Sequence, residues 1–245
     1  MDKRLNIIIS GYGKMGKTIE KVAIERKHNI IARLDNEDHW KELPQNFPER
    51  TIVIDFSMPE TAVNNILRCF DKNLPVVCGT TGWYGSLEEV SHACKTKNGT
   101  LLYAPNFSIG VHVLFYLNRE LARIMGKIEG YHACVKEIHH IHKLDAPSGT
   151  AVQLAGDIIM QNPGYRKWVN NAVASNGELP VVSERVGEVP GTHEIKYVSK
   201  VDELILKHKA KSREGFATGA VMAAEFVCDK KGIFTINDLL KTLGI

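Results

Sequence analysis

Titratable nitrogen is concentrated in one short stretch of the 245-residue chain. His139, His140, His142 and Lys143 lie within five consecutive residues. Histidine exchanges protons near neutral pH and suits general acid–base catalysis. The ammonium group of Lys143 can bind a carboxylate and shift the pKa of a neighbouring group by its charge. The spacing therefore favours a site that transfers protons and binds an anion.

The residues that follow this stretch predict an anion-binding element. Ser148, Gly149 and Thr150 stand at the predicted beginning of a helix that runs to about Met160. The first backbone amides of a helix have no intrahelical acceptor, and the helix dipole favours a negative charge beside them. We therefore expect these three residues to bind a substrate carboxylate.

Two other interpretations of the histidines remain open. One is a strand end whose imidazoles form only structural hydrogen bonds, which we adopt for His142. The other is a metal site, because His140 and His142 have the i, i+2 spacing of ligands on a strand. No cysteine or carboxylate pattern completes a ligand set, so we expect no metal.

A glycine-rich turn lies near the N-terminus. The apolar run Leu5–Ser10 is typical of a strand buried on both faces, and the turn follows it at once. Gly11 permits the tight bend, Gly13 lets the backbone approach a pyrophosphate, and Gly16 lets the helix pack on the strand. With the next predicted strand, Ile30–Leu34, these segments form a βαβ unit of the kind that binds a dinucleotide.

Asp35 ends this unit about 20 residues after Gly16, the spacing of a carboxylate that binds ribose hydroxyls. Such a carboxylate repels a 2′-phosphate, and no arginine follows Asp35 directly. We therefore expect NADH to be preferred over NADPH, with Arg33, Lys14 and Lys17 as alternative partners for a 2′-phosphate. A loop without a ligand is the competing interpretation. The cofactor-binding residues expected here are Gly11, Tyr12, Gly13, Lys14, Met15, Gly16 and Asp35.

Three more strands are predicted in this half of the chain, at Thr51–Phe56, Leu74–Cys78 and Thr100–Tyr103. Ligands of an open parallel sheet bind at the carboxyl ends of its strands. The loops after the last two strands are therefore candidate walls for the nicotinamide, although their residue types are also common in ordinary turns. These loops consist of Gly79, Thr80 and Thr81, and of Ala104, Pro105, Asn106 and Phe107.

Two details of this half concern helices. Residues 36–50 show no helix pattern, so we expect an irregular crossover there. Ser57 is the predicted cap of the helix that follows, with Pro59 in its first turn.

The pattern changes in the second half of the chain. After a predicted helix at Ile109–Ile124, Tyr131–Ile138 alternates like a strand with one buried face. Later segments, from Pro180 to His208, are mostly strand-like, before two predicted helices close the chain. We expect an α/β protein: a Rossmann-type parallel sheet domain that binds a dinucleotide, with a second α+β domain.

Composition excludes several classes of protein. The net charge is only +3, and the basic residues are spread along the chain, which argues against a nucleic-acid or membrane surface. The five cysteines are an odd number without a CxxC pair, as expected for free thiols in a reducing cytoplasm.

The stretch from Glu137 to Ala151, with the sequence EIHHIHKLDAPSGTA, resembles the signature of the 4-hydroxy-tetrahydrodipicolinate reductase family. Five other segments are similar to further landmarks of that family, in the same order. They are Gly11–Gly16, Gly79–Trp83, Ala104–Val111, Arg185–Gly191 and His208–Arg213. The resemblance covers essentially the whole chain.

The resemblance implies an enzyme of lysine and diaminopimelate biosynthesis that transfers a hydride from NADH or NADPH to the substrate ring after loss of water. It implies that His139 is the acid/base residue and Lys143 the other proton donor. It also implies that His140 contacts the dicarboxylate substrate and that Gly149 and Thr150 hold one of its carboxylates. The two loops named above then contact the nicotinamide.

The resemblance further implies a cofactor domain of residues 1–106 and 218–245, and a substrate-binding domain of residues 107–217 whose sheet assembles a homotetramer. The chain departs from the family because it is short and because the segment after Asp35 has no predicted helix. Two alternatives stay open: a related Rossmann-type dehydrogenase acting on an amino acid, and a dinucleotide-sensing protein without turnover.

Overall fold

The computed structural model describes residues 4–244, and its elements are numbered along the chain. The strands are β1 (Asn6–Ser10), β2 (Asn29–Leu34), β3 (Thr51–Asp55), β4 (Val76–Cys78), β5 (Thr100–Tyr103), β6 (His132–His139), β7 (Lys167–Val169), β8 (Glu178–Arg185), β9 (Thr192–Val198), β10 (Glu203–Lys209) and β11 (Gly232–Thr235). The α-helices are α1 (Lys14–Glu25), α2 (Glu37–Lys41), α3 (Pro59–Asp71), α4 (Leu87–Thr96), α5 (Ile109–Met125), α6 (Gly149–Gln161), α7 (Glu214–Val227) and α8 (Ile236–Thr242).

The chain divides into two compact units. One comprises the residues up to Ser108 and those from Arg213 onward, and the other is Ile109–Ser212. Both divisions fall beside a helix, because α5 belongs wholly to the second unit and α7 wholly to the first. The predicted boundary at residue 218 lies inside α7.

The first unit is built on a parallel sheet of six strands in the order β11-β5-β4-β3-β1-β2. Its central strands β1 and β3 are almost completely buried. Strands covered on both faces are apolar throughout, which explains why they are runs of isoleucine and valine. At the sheet edge, β2 alternates between exposed and half-buried residues.

The second unit contains a mixed sheet in the order β10-β9-β6-β8-β7. The central strand β6 is antiparallel to β9 and parallel to β8. Helices α5 and α6 contribute Leu114 and Leu154 to an apolar cluster with Val135, Val181 and Ile195 of the sheet. The predicted fold class, a Rossmann-type sheet with a second α+β domain, is confirmed.

Two local predictions were wrong, and two short strands were missed. Residues 36–50 contain helix α2, which one capping residue begins: Asn36 accepts hydrogen bonds from the amides of Asp38 and His39. Helix α3 is preceded by Met58 rather than capped by Ser57, whose hydroxyl instead donates to Asp55. Strands β7 and β11 were not predicted, because three or four half-exposed residues give no clear periodicity.

None of the helices between residues 4 and 244 has both the length and the apolar character needed to span a membrane.

Candidate active site

Strand β6 places Glu137 and His139 on the same face of the second unit's sheet. Side chains two residues apart on a strand point the same way, and both residues are buried. Nδ1 of His139 lies 2.9 Å from a carboxylate oxygen of Glu137. Across the sheet, Glu137 pairs with His193 on β9, and His139 pairs with Arg185 on β8. The sheet therefore brings an acid, two imidazoles and a guanidinium together.

The Glu137 carboxylate is held by groups from three elements. Ser148 donates its backbone N–H to Oε1 at 3.0 Å, and Arg185 donates to the same oxygen at 3.2 Å. Burial by itself would raise the pKa of Glu137, but His139, Ser148 and Ser183 stabilise its charged form. The pKa of this carboxyl group is consequently held well below its ordinary value, and the group is a carboxylate at neutral pH.

His193 is the neutral member of this group. Burial, and then the charge of His139, lower its pKa to about 3. Its Nε2 lies 3.3 Å from the hydroxyl of Ser148 and 3.9 Å from Glu137. The rings of His139 and His193 meet edge to face, with centroids 5.0 Å apart. His193 therefore adds no charge of its own beside Glu137 at neutral pH.

Lys143 lies in the loop after β6 and pairs with Asp145, whose carboxylate is 2.7 Å from the ammonium nitrogen. The backbone of this loop is held by Arg185, which donates to the carbonyl of Lys143 at 3.2 Å and to the carbonyl of Asp145. The side chain of Lys143 is about one-quarter exposed, so a cationic donor stands at the surface of the second unit.

The other two histidines of the stretch have different surroundings. His142 is exposed, with Nε2 3.3 Å from a carboxylate oxygen of Glu188. His140 is half-buried, and its Nδ1 has no hydrogen-bond partner among residues 4–244. The two rings therefore differ in exposure, since His142 faces solvent and His140 is partly enclosed.

Ser148, Gly149 and Thr150 form the start of α6, as predicted from the sequence. Ser148 is the capping residue, and its hydroxyl accepts a hydrogen bond from the amide of Ala151. Its own amide is already used by Glu137. A helix leaves its first amides without an internal acceptor. Those of Ser148 and Ala151 are used by Glu137 and by the Ser148 hydroxyl, so the amides of Gly149 and Thr150 are the ones that can face a ligand.

Glu137, His139 and His193 offer ligand atoms within 4.8 Å of one another, a spacing that could hold a metal ion. The guanidinium of Arg185 lies on the same carboxylate and opposes a second positive charge there by simple repulsion. The arrangement is better suited to proton transfer than to metal binding.

In the first unit, the glycine turn has the form that a dinucleotide requires. Gly11 has φ +86°, and a Cβ atom there would lie 2.3 Å from the carbonyl oxygen of Phe56. A Cβ atom at Gly16 would lie 2.4 Å from the carbonyl oxygen of Gly11. Gly13, which begins α1, has open space where its side chain would be. The backbone at Gly13 is therefore open to a phosphate at a helix N-terminus.

A cavity of about 430 Å³ lies beside this turn and includes Gly11, Gly13, Asp35 and Trp40 in its lining. Asp35 accepts a hydrogen bond from the amide of Tyr12 at 3.0 Å, which ties the acid to the glycine turn. Lys14 is exposed and Met15 is half-buried in the first turn of α1. The residues present fit the adenosine half of a dinucleotide.

Arg33 and Lys17 both lie over the ring of Tyr12, at 5.6 and 5.9 Å from its centroid. Arg33 also forms an ion pair with Glu20, and this hydrogen-bonded pairing raises the pKa of its guanidinium. Arg33 is thus engaged by a carboxylate, which weakens it as a partner for a 2′-phosphate.

The loop after β4 is anchored by a buried acid that the sequence pattern did not single out. Asp55, fully buried at the end of β3, accepts hydrogen bonds from Ser10, Thr80 and Asn65. Its signal in the sequence was a charged residue closing an otherwise apolar strand. The hydroxyl of Thr80 is therefore directed into the protein, whereas Thr81 is exposed.

Phe56 and Phe107 link the two loops, with ring centroids 5.8 Å apart. A Cβ atom at Gly79 would lie 2.2 Å from the ring of Phe56. Ala104 is buried, Pro105 is exposed, and the side chain of Asn106 accepts a hydrogen bond from the amide of Ser108. The predicted nicotinamide residues thus lie on loops fixed by packing rather than on free turns.

Two family models together match almost the whole chain. The N-terminal model of dihydrodipicolinate reductase matches residues 5–107, and the C-terminal model matches residues 110–240. Two relatives are named 4-hydroxy-tetrahydrodipicolinate reductase. The protein from Christiangramia forsetii is 45% identical over 98% of this chain and 99% of its own length. The protein from Methanopyrus kandleri is 36% identical over 81% of this chain and 74% of its own length.

Solved structures have the same fold. A dipicolinate-bound dihydrodipicolinate reductase from Paenisporosarcina sp. TG-14 superimposes with a TM-score of 0.73 at 23% identity, over 95% of this chain and 97% of that one. A probable dehydrogenase from Thermotoga maritima gives 0.54 at 12% identity, over 98% and 93%. The N-terminal region is a dinucleotide-binding domain. The chain belongs to the dihydrodipicolinate reductase family of NAD(P)H-dependent oxidoreductases.

Proposed function

We propose that the protein reduces 4-hydroxy-tetrahydrodipicolinate to tetrahydrodipicolinate, with loss of water, in lysine and diaminopimelate biosynthesis. The observation that carries the proposal is His139, held by the Glu137 carboxylate in a chain of this family. The overall balance consumes one NAD(P)H and one proton, and it releases NAD(P)⁺ and water. When bound, the reduced nicotinamide supplies a hydride from its C4 to the substrate ring.

The protein's own residues handle the proton and the substrate charges. His139 and Lys143 are the proton donors for the position that becomes more basic as the hydride arrives. The amides of Gly149 and Thr150 bind one carboxylate of the dicarboxylate substrate at the positive end of α6. His140 contacts the other polar groups of the substrate, and Ser148 fixes the start of the helix.

NADH is the proposed preferred cofactor, with NADPH also accepted. Asp35 is held at the glycine turn by Tyr12, where a carboxylate suits ribose hydroxyls and repels a 2′-phosphate. The pairing of Arg33 with Glu20 supports the same preference. The turn residues Gly11 to Gly16 bind the pyrophosphate, and the loops at Gly79–Thr81 and Ala104–Phe107 bind the nicotinamide side.

The proposed assembly is a homotetramer formed through the second unit's sheet. Apolar side chains on β9 and β10 support it: Val198, Leu204 and Ile205 are each about 40% exposed. Light scattering during size-exclusion chromatography tests this assignment, and a monomer at micromolar concentration contradicts it. The five free cysteines support a cytoplasmic location.

The test of function is nucleotide oxidation, followed by the absorbance of the reduced nicotinamide, with and without freshly prepared substrate. We expect consumption that depends on the substrate and a product identified by mass spectrometry as tetrahydrodipicolinate. Binding of NADH without consumption would indicate a dinucleotide sensor. Consumption with an oxo acid and ammonia, or reduction of NAD⁺ by an amino acid, would instead indicate a different dehydrogenase.

A further inference from the structure

We propose that Glu137 and Arg185 form a positioning pair that fixes the tautomer of His139 and, through the same guanidinium, holds the loop that carries Lys143. This inference rests on the proposed function, because it explains how the two proton donors are held in position relative to each other. Neither residue is proposed to contact the substrate.

The Glu137 end of the pair acts on His139. Oε2 of Glu137 lies 2.9 Å from Nδ1 of His139, within ion-pair distance, and its negative charge favours a proton on the nitrogen that faces it. Nε2 is then the ring atom that can exchange a proton with a substrate. A Cβ atom at Gly191 would lie 3.2 Å from this Nε2, so the missing side chain at Gly191 leaves space beside the exchanging atom.

The Arg185 end acts on the loop. One guanidinium group donates to Glu137, to the carbonyl of Lys143 and to the carbonyl of Asp145. The planar fork of arginine can make several such bonds at fixed angles, which an ammonium group cannot reproduce. The backbone that carries Lys143 is therefore tied to the carboxylate that holds His139.

The charges around His139 come from every neighbouring element. Glu137 is the negative group on β6, while Arg185 on β8 and Lys143 in the loop are positive. Asp145 offsets the charge of Lys143. The imidazoles of His193 on β9 and His208 on β10 have pKa values lowered mainly by burial. Glu137 is thus the carboxylate that lies within ion-pair distance of the His139 ring.

The first test is the pH dependence of kcat for Glu137→Gln, which keeps the shape and removes the charge. A proton donor must carry its proton, so kcat should fall on the basic side of its pH profile. Removing a neighbouring carboxylate removes a charge that favours a protonated donor, so that basic limb should move to lower pH. We expect kcat at neutral pH to fall about tenfold or more. An unshifted limb with wild-type kcat overturns the proposal.

One variant of Arg185 should shift the basic limb in the opposite direction, and a second variant should restore it. Arg185→Met removes a positive charge and should move the basic limb to higher pH while raising KM through the released loop. Arg185→Lys keeps the charge and should restore the limb but not KM. A shift in the same direction for Glu137→Gln and Arg185→Met contradicts the electrostatic part of the inference.

A matched control lies on the same two strands. Lys136 and Glu184, each one residue before a member of the pair, form an ion pair at 2.7 Å. Lys136→Met and Glu184→Gln should leave the pH profile and KM unchanged. If these control variants shift the pH profile as much as the Glu137 and Arg185 variants do, any charge in the sheet produces the shift and the inference is wrong.

A readout without turnover separates this inference from the proposed function. The ¹⁵N shifts of the His139 ring report which nitrogen carries the proton. We expect a protonated Nδ1 in the wild type and a mixed tautomer in Glu137→Gln, confirmed as folded by its thermal transition. If the wild type has no activity but the two proteins differ in this way, the proposed function is refuted and the positioning pair is not. A wild-type ring protonated only at Nε2 refutes the positioning pair.

Discussion

His139 and His142 are close in sequence, yet their surroundings give them different chemistry. His139 is 7% exposed beside a buried carboxylate, whereas the side chain of His142 is 70% exposed near Glu188. A buried carboxylate partner fixes both the orientation and the protonation of an imidazole. An exposed pair in water adds little to either. Residue type alone therefore does not identify the proton donor.

Replacing His139 tests its role directly. We expect His139→Gln to lower kcat about 10²–10⁴-fold, the usual contribution of a general acid, with a smaller change in KM. His142→Gln is the control and should retain wild-type kcat. Steady-state kinetics with saturating NADH measure both, and an unchanged kcat in His139→Gln would remove this residue from the mechanism.

The second prediction for a single residue concerns the role of Asp35 in cofactor preference. Asp35→Ala removes the charge that repels a 2′-phosphate, so the ratio of kcat/KM for NADPH to that for NADH should rise, by about tenfold for each 1.4 kcal/mol of repulsion relieved. Asp38→Ala, which removes an exposed acid paired with Lys41, should leave the ratio unchanged. A constant ratio in Asp35→Ala would contradict the assignment of Asp35 to the ribose.

At the scale of helices and strands, sequence periodicity predicted the regular elements and missed the short ones that depend on a single cap or a single strand pairing. β1, β5 and α5 were predicted almost to the residue, because long apolar runs and regular helical spacing are strong signals. Helix α2 depends on one asparagine cap, and β11 pairs only with β5 at the sheet edge. Neither leaves a periodic pattern in the sequence.

The site shows the same division. The residues of the glycine turn and the histidine stretch could be singled out as candidates because their types and spacing are unusual. Glu137, Arg185 and Asp55 acquire their roles from strand register, which places residues distant in sequence on one face. A charged residue at a buried position of an alternating strand, such as Glu137, was the available signal.

Helix α7 provides a prediction for the loop after β5. A Cβ atom at Gly219 would lie 1.7 Å from the backbone oxygen of Phe107, so Gly219→Ala must displace the helix or the loop. Gly156 in α6 has open space at the same position, and there alanine should stabilise by about 0.5–1 kcal/mol. We expect Gly219→Ala to lower the midpoint of thermal unfolding and weaken NADH binding, and Gly156→Ala to do neither. Equal midpoints for the two variants would contradict this packing account.

At the scale of the whole molecule, His193 makes stability depend on pH. Its pKa falls from an ordinary 6.5 to about 3 on folding, so the unfolded chain binds the proton more tightly. Stability is therefore fully present above about pH 6.5 and is lost as pH falls through this window, by about 1.4 kcal/mol for each unit of the shift.

Urea unfolding at pH 7 and pH 5 measures this effect, with hydrogen exchange of β6 and β9 to locate it. The wild type should lose more stability between these two pH values than His193→Gln, whose side chain does not titrate. The pKa of Glu137 is lowered from its ordinary value of 4.5, so the stability that it provides is lost only at pH values near 4.5 and below. The effects of His193 and Glu137 on stability therefore appear in different pH ranges. Parallel curves for wild type and variant would contradict a buried neutral His193.

The first unit takes its residues from both ends of the chain, since α7, α8 and β11 come after Ser212. The second unit is the continuous segment Ile109–Ser212, so all of its residues are synthesised before those of α7, β11 and α8. The sheet that begins at β1 therefore gains its edge strand β11 only after the whole second unit has been made. Synthesis order thus makes the earliest part of the chain the last to be completed, with the surfaces that α7 will cover open to chaperones meanwhile.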